Sequence, residues 1–276
     1  MNFKRFNKIN RLYLKVRSLC TEKNSKITTA GVLVIGDEIL KGEIPDTNSH
    51  FLAKELHNLG LNLKKISVVS DDVNDISEEV KHFSSKYNYV ITTGGIGPTH
   101  DDVTYEAVAL AFNEPLVLNS ELKDICCRYF KSKDPKAAGM KQAYIPKSSI
   151  LHYTTISGGK LPYPSVSTHN VFMFPGIPEL VKLIMTEAGP LLFHSDKRFF
   201  TKCIYCNLPE YKIIEQLEQL VLEFPDVSFG CYPKFYHSLY QVKLTIESLS
   251  KESTTNAYLK LLELIPSGCI VQKDDL

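Results

Sequence analysis

Residues 92–106 read TTGGIGPTHDDVTYE. Gly94, Gly95 and Gly97 stand where the apolar run YNYVITT gives way to a helical pattern. Glycines at such a turn allow positive φ and close backbone approach, so amide N–H groups can wrap an anion beside the positive end of the next helix. That is phosphate chemistry. Yet Asp101 and Asp102 follow within the same stretch and would repel a phosphate. One resolution is local: carboxylates in a first helical turn offset the helix dipole, each by about 0.3–1 kcal/mol. The other is chemical. A divalent cation such as Mg2+ or Co2+ takes carboxylate and phosphate oxygens alike, which would make the two aspartates metal ligands.

Gly36-Asp37-Glu38 repeats the pattern at the end of an earlier apolar run, TTAGVLVIG. Carboxyl ends of parallel strands are where open α/β sheets bind ligands. Thr93 to Gly97 ends a second strand, and Pro175-Gly176-Ile177-Pro178 ends a third as either a further wall of the crevice or a stiff turn. Asp37 and Glu38 then face Asp101 and Asp102 across one rim, or merely begin a turn. The glycine spacing matches neither GxGxxG nor a Walker loop. His100 lies inside the motif but has no visible partner for general-base work. Cys203-Ile-Tyr-Cys206 has CxxC spacing, but it sits in the strand-like FTKCIYCNL, where alternation sends Cys203 and Tyr205 to one face and Cys206 to the other. Core cysteines are the better reading than zinc.

These residues need a scaffold, and the apolar periodicity supplies one. A helix from about Thr47 to Leu59, a strand through LNLKKISVVS, a helix through Ile76, Val80 and Phe83 and the strand YNYVITT alternate with short connections. That order predicts right-handed crossovers and a three-layer, mostly parallel α/β sheet. A helix is expected from Asp101 to about Phe112 and another in SELKDICCRYFKS. Residues 134–170, rich in Pro, Gly, Ser and Lys, read as an irregular excursion with a hairpin near Gly158-Gly159. VFMFPGIPELVKLIM restores strand, turn and helix. After Arg198 the pattern becomes βαββαβ, the order of a split βαβ sandwich.

The chain has 276 residues, 43% hydrophobic and 23% charged, and no apolar run approaches the roughly 20 residues of a membrane-spanning helix. Its formal net charge of +1 is unevenly spread. Lys4, Arg5, Lys8, Arg11, Lys15 and Arg17 precede the first acid, Glu22, with Phe3, Phe6, Ile9, Leu12, Tyr13 and Leu14 interleaved. An amphipathic, basic, acid-poor start reads as a mitochondrial transit peptide, expected over residues 1–28 and directing the chain to the matrix; a basic tail on a cytoplasmic protein is the alternative. Seven cysteines without a secretory signal suggest reduced thiols. The expected organisation is the leader, an α/β domain over 29–195 and a small α+β domain over 196–276.

GDEILKGEIPDTNSHFLAKEL, ISVVSDDVNDI, VITTGGIGPTHDDVTYEAVA and FMFPGIPEL together resemble the molybdopterin-binding (MoCF, MoaB/Mog) domain family. They are most similar to its branch in bacterial CinA proteins and at the front of animal FAD synthases, because Ile96 stands where molybdenum-cofactor members carry threonine. The resemblance implies metal-dependent hydrolysis of a dinucleotide pyrophosphate such as FAD or ADP-ribose, or, without catalysis, binding of a flavin or pterin nucleotide in support of FAD synthesis. It implies that Gly94, Gly95, Gly97 and Thr99 hold phosphate and that Asp101 and Asp102 are catalytic and bind metal, with Asp37 and Glu38 as metal ligands from the opposite side. Gly36, Thr93, Gly176, Asn48 and Thr47 would be substrate contacts. A small-molecule nucleotide is the expected partner, self-association is common in the fold, and neither nucleic acid nor membrane is implied. FAD synthases continue into a PAPS-reductase-like domain for adenylyl transfer, and this sequence does not include one.

Overall fold

The structure is a computed structural model, and it describes residues 27–131, 134, 138–234 and 239–271. The expected leader lies outside these residues, apart from its last two positions. The chain divides into two compact units, Ile27–Asp196 and the residues from Lys197 onward.

The first unit is built on strands β1 (Thr29–Ile35), β2 (Asn62–Val69), β3 (Tyr89–Thr93), β6 (Ile150–Thr154), β7 (Lys160–Thr168) and β8 (Val171–Phe174), ordered β2-β1-β3-β8-β7-β6. The first four strands in that order pair in parallel and the last two add antiparallel. The sheet is therefore mostly parallel. Alternation along β1 serves two cores at once: Leu33 and Ile35 pack to one side, Ala30, Val32 and Val34 to the other.

Helices cover both faces. On one side lie α3 (Val73–Lys86), α4 (Thr104–Ala111) and α5 (Ser120–Phe130), which bring Ile76, Val80, Phe83, Val108 and Leu122 into the core. On the other lie α2 (Asn48–Asn58) and α6 (Pro178–Glu187), with Leu52, Leu56, Val181 and Ile184. A short α1 (Asp37–Leu40) follows β1, and α7 (Gly189–Leu192) closes the unit. Each buried Leu, Ile, Val or Phe contributes about 1.5–3 kcal/mol of transfer free energy.

Two local expectations are corrected, and one element is new. The helix after the glycine loop starts at Thr104, with Val103 as its N-cap, so Asp101 and Asp102 precede it and do not sit in its first turn. The expected hairpin near Gly158-Gly159 is present as β6 and β7, but the excursion is not irregular from Ala138 on: a 3₁₀ segment (Ala138–Ala143) and β5 (Tyr144–Pro146) precede it. Pro162 and Pro164 fit inside β7 because they lie where the β6–β7 register shifts and before β7 begins to pair with β8. β5 also pairs with β4 (Leu116–Leu118), a ribbon that the short apolar run after Pro115 did not announce.

The second unit orders its strands β10-β11-β9-β12, all antiparallel: β9 (Phe200–Cys206), β10 (Ser228–Pro233), β11 (Val242–Ser248) and β12 (Ile270–Val271). Helices α8 (Ile214–Glu223) and α9 (Lys251–Leu264) complete the βαββαβ order. Ile204, Cys206, Leu220, Leu244, Ile246, Ala257 and Leu261 form its core. Cys206 is buried and Cys203 exposed, on opposite faces of β9.

Candidate functional site

Val34 pairs with Thr93, and Thr93 with Phe174, so the carboxyl ends of β1, β3 and β8 share one rim. Gly94 sits between its neighbours. It has φ +109°, its N–H donates to Phe174 O at 3.1 Å, a Cβ there would run into the carbonyl oxygen of Ile35, and the same atom on Gly176 would lie 3.4 Å from the Gly94 Cα. Only glycine accommodates that approach. Thr104 then fastens the loop from the helix side, donating Oγ1 to Gly94 O and its N–H to Gly95 O, both at 2.9 Å. Ile96 points into the core and is 8% exposed.

Beyond Ile96 the loop closes on an anion of its own. Asp102 Oδ1 accepts the Gly97 N–H at 2.7 Å, and Oδ2 accepts the Thr99 N–H at 2.8 Å together with the Thr99 hydroxyl. A Cβ on Gly97 would lie 2.6 Å from Asp102 Oδ2. The amides expected to hold phosphate therefore already hold a carboxylate, and both oxygens of Asp102, expected on a metal, are engaged within the loop. Asp101 behaves differently. Its side chain is 59% exposed with His100 Nδ1 3.8 Å away. The nearby Thr99 hydroxyl, its own backbone N–H and the charges of His100 and Lys141 hold its carboxyl below the usual range.

The opposite wall is made by β1 and β2. Asp37 N donates to Asp71 Oδ2 at 2.9 Å and Asp71 N donates to Asp37 Oδ1 at 3.4 Å, a reciprocal clasp between the two strand ends. Lys41 pairs with Asp37 at 3.0 Å and holds its carboxyl low. Burial pushes Asp71 up, and the charges of Glu38, Asp37 and Asp101 push it further. Asp37 and Asp71 are thus joined at the ends of β1 and β2, with Glu38 next in the chain, and Asp101 follows the loop at the adjacent end of β3. Sequence reading missed Asp71 as a site residue. The signal was present in ISVVSDDVNDI, since the rule that strand ends carry sites applies to β2 as well as to β1.

Asn48 and Thr93, expected as ligand contacts, act as rivets. Asn48 Nδ2 donates to Thr93 Oγ1 at 3.0 Å and to Gly176 O at 2.8 Å, and Thr93 Oγ1 donates to Pro175 O at 2.9 Å. They fix α2 and the Pro175-Gly176 turn to the end of β3. Thr47 is exposed at the N-cap of α2 without a side-chain capping bond, and Asp46 Oδ1 instead accepts the Ser49 N–H at 2.9 Å. Among the described residues, no three Asp, Glu, His or Cys side chains already stand together as a metal centre. Magnesium-like ions are commonly held by only one or two carboxylates plus substrate phosphates, so exposed Asp101 and half-buried Glu38 and Asp37 have fitting donor chemistry for an ion that arrives on the ligand.

Residues 31–194 match the model of the probable molybdopterin binding domain. The chain belongs to this molybdopterin-binding domain family. Residues 198–274 of this family member match the FAD synthase middle domain. It is 39% identical over 267 residues to a probable FAD synthase of Caenorhabditis elegans, covering 89% of this chain and 51% of that one. A CinA-like protein of Prochlorococcus marinus is 31% identical over 230 residues, covering 80% and 53%. Among solved structures, CinA of Thermoplasma acidophilum superposes with a TM-score of 0.52 at 25% identity, over 58% of this chain and 95% of that one. The chain thus spans about half the length of the FAD synthases it matches.

Proposed function

We propose that this molybdopterin-binding family member hydrolyses a dinucleotide pyrophosphate, FAD or ADP-ribose in kind, within flavin nucleotide metabolism. The observation that carries the reading is the shared rim of β1, β3 and β8, where a loop whose Gly97 and Thr99 amides already seat the Asp102 carboxylate lies beside Asp101 and the strand end that carries Asp37 and Glu38. Relatives named FAD synthase support the flavin class.

In this reading the loop N–H groups orient one phosphate while the rivets of Asn48 and Thr93 keep the rim rigid. Asp101 and Glu38, with Asp37 beside them, would hold a divalent ion, Mg2+ or Co2+, which when bound supplies charge neutralisation and a polarised water. Asp71 holds Asp37 in place through its backbone N–H. Water adds to phosphorus and the bond to the bridging oxygen breaks. From FAD this yields FMN and AMP. The basic segment before Glu22 would direct the chain to mitochondria.

The test is incubation of the purified chain with FAD, ADP-ribose and NADH, with and without Mg2+ or Co2+, followed by chromatography of the nucleotides. Release of mononucleotides only with metal supports hydrolysis. Tight binding without release under any metal would instead favour a non-catalytic module serving a separate adenylyltransferase.

A further inference from the structure

Five carboxylates stand at or beside this rim, so a bound pyrophosphate needs protein cations as well as any metal it brings. Lys41 is committed to Asp37 at 3.0 Å. Lys141 is placed otherwise. Its Nζ donates to the carbonyls of Thr99 at 3.0 Å and His100 at 3.2 Å, both neutral acceptors. An ammonium has three donors, and these contacts use two. Its charge is felt at Asp101.

The position of this lysine is built into the fold. Met140 is 2% exposed and Ala143 fully buried, so the 3₁₀ segment is pinned on both sides of Lys141 and Gln142. Gly139 packs against the Phe130 ring, and Asn119 N donates to Ala143 O at 2.8 Å. Gln142 Nε2 donates to Ile96 O at 3.1 Å. One segment thus binds the carbonyls of Ile96, Thr99 and His100, while the N–H groups of Gly97 and Thr99 in the same loop donate to the Asp102 carboxylate. The loop is polarised, with its carbonyls satisfied by side-chain donors and its amides serving anions.

We propose that Lys141 is the positioning cation of the glycine loop, holding it in its anion-binding form and contributing its charge to recognition of the ligand's pyrophosphate. This rests on the function proposed above. A lysine that only braced the loop would be replaceable by any donor. One that recognises phosphate must keep its charge.

The full chain with Lys141→Met, Lys141→Arg or Gln142→Ala is compared with the wild type. Calorimetry reads binding of ADP-ribose and FAD in Mg2+ and of phosphate-free riboflavin and adenosine. Kinetics and thermal melting accompany it. Lys141→Met is expected to weaken binding of the pyrophosphates about 10- to 100-fold, to raise KM more than it lowers kcat, and to leave any binding of the phosphate-free ligands unchanged. Lys141→Arg is expected to restore most of the loss. Gln142→Ala is expected to lower Tm without selective loss of phosphate ligands. Unchanged pyrophosphate affinity in Lys141→Met, equal loss for all ligands, or failure of arginine to rescue overturns the proposal. Wild type that binds pyrophosphates but never hydrolyses them defeats the hydrolase reading alone, with the binding arm still deciding the lysine. Wild type that binds none defeats both.

Discussion

At the residue scale the carboxylates divide by what they touch. Asp102 closes the loop, so Asp102→Ala leaves the Gly97 and Thr99 N–H groups without that acceptor and costs about 1 kcal/mol of stability. In the proposed reading it also misplaces Asp101, lowering FAD hydrolysis about 100-fold or more, while the amides it vacates take orthophosphate more readily. Hydrolysis at the original rate would remove Asp102 from the mechanism. Asp71 offers the reverse trade. Its folded pKa is raised, so its ionised form opposes folding above that value and the opposition vanishes below the ordinary 3.8. Asp71→Asn, which retains both the backbone N–H and an acceptor for Asp37 N, should raise Tm at pH 7 and leave it unchanged near pH 3. Equal Tm effects at both pH values would exclude the electrostatic cause. Much of this was legible in sequence, because glycines and paired acids at strand ends carry a chemical meaning at short range. Whether Asp102 faces a metal or its own loop was not legible. The 2.7 and 2.8 Å bonds to its own loop form inside one turn, and spacing alone does not show them.

At the element scale, the site depends on strand ends brought within contact distance. Gly94→Ala places a methyl group against Ile35 O with φ at +109°, so we expect a loss of at least about 3 kcal/mol in urea unfolding, with loss of nucleotide binding. A loss under 1 kcal/mol would mean that the rim yields. The parallel strands and their helices were readable because each periodic run buries one face and short connections force crossovers. Of the stretch 134–170 only the hairpin near Gly158-Gly159 was, since prolines usually exclude interior strands, and the bulge that admits Pro162 and Pro164 exists only once β6 and β7 pair. Lys141 was hidden for a related reason. It reaches a loop 42 residues earlier through tertiary packing, which no local pattern encodes.

At the scale of the whole molecule, each unit has its own apolar core and its own sheet. Residues 27–196 produced alone should therefore unfold cooperatively and retain ADP-ribose binding within a few-fold of the full chain. A molten product without near-ultraviolet dichroism would show that the second unit is required for folding. The carboxylate seated on the loop amides finally bears on which solutes the molecule can ignore. Orthophosphate arriving there must evict Asp102 and trades one anion for another at little gain. A metal-bound pyrophosphate brings its own cation and a second point of attachment, so it can win that exchange. In the proposed reading the resting loop would thus be a filter that tolerates a phosphate-rich solvent and still yields to dinucleotides.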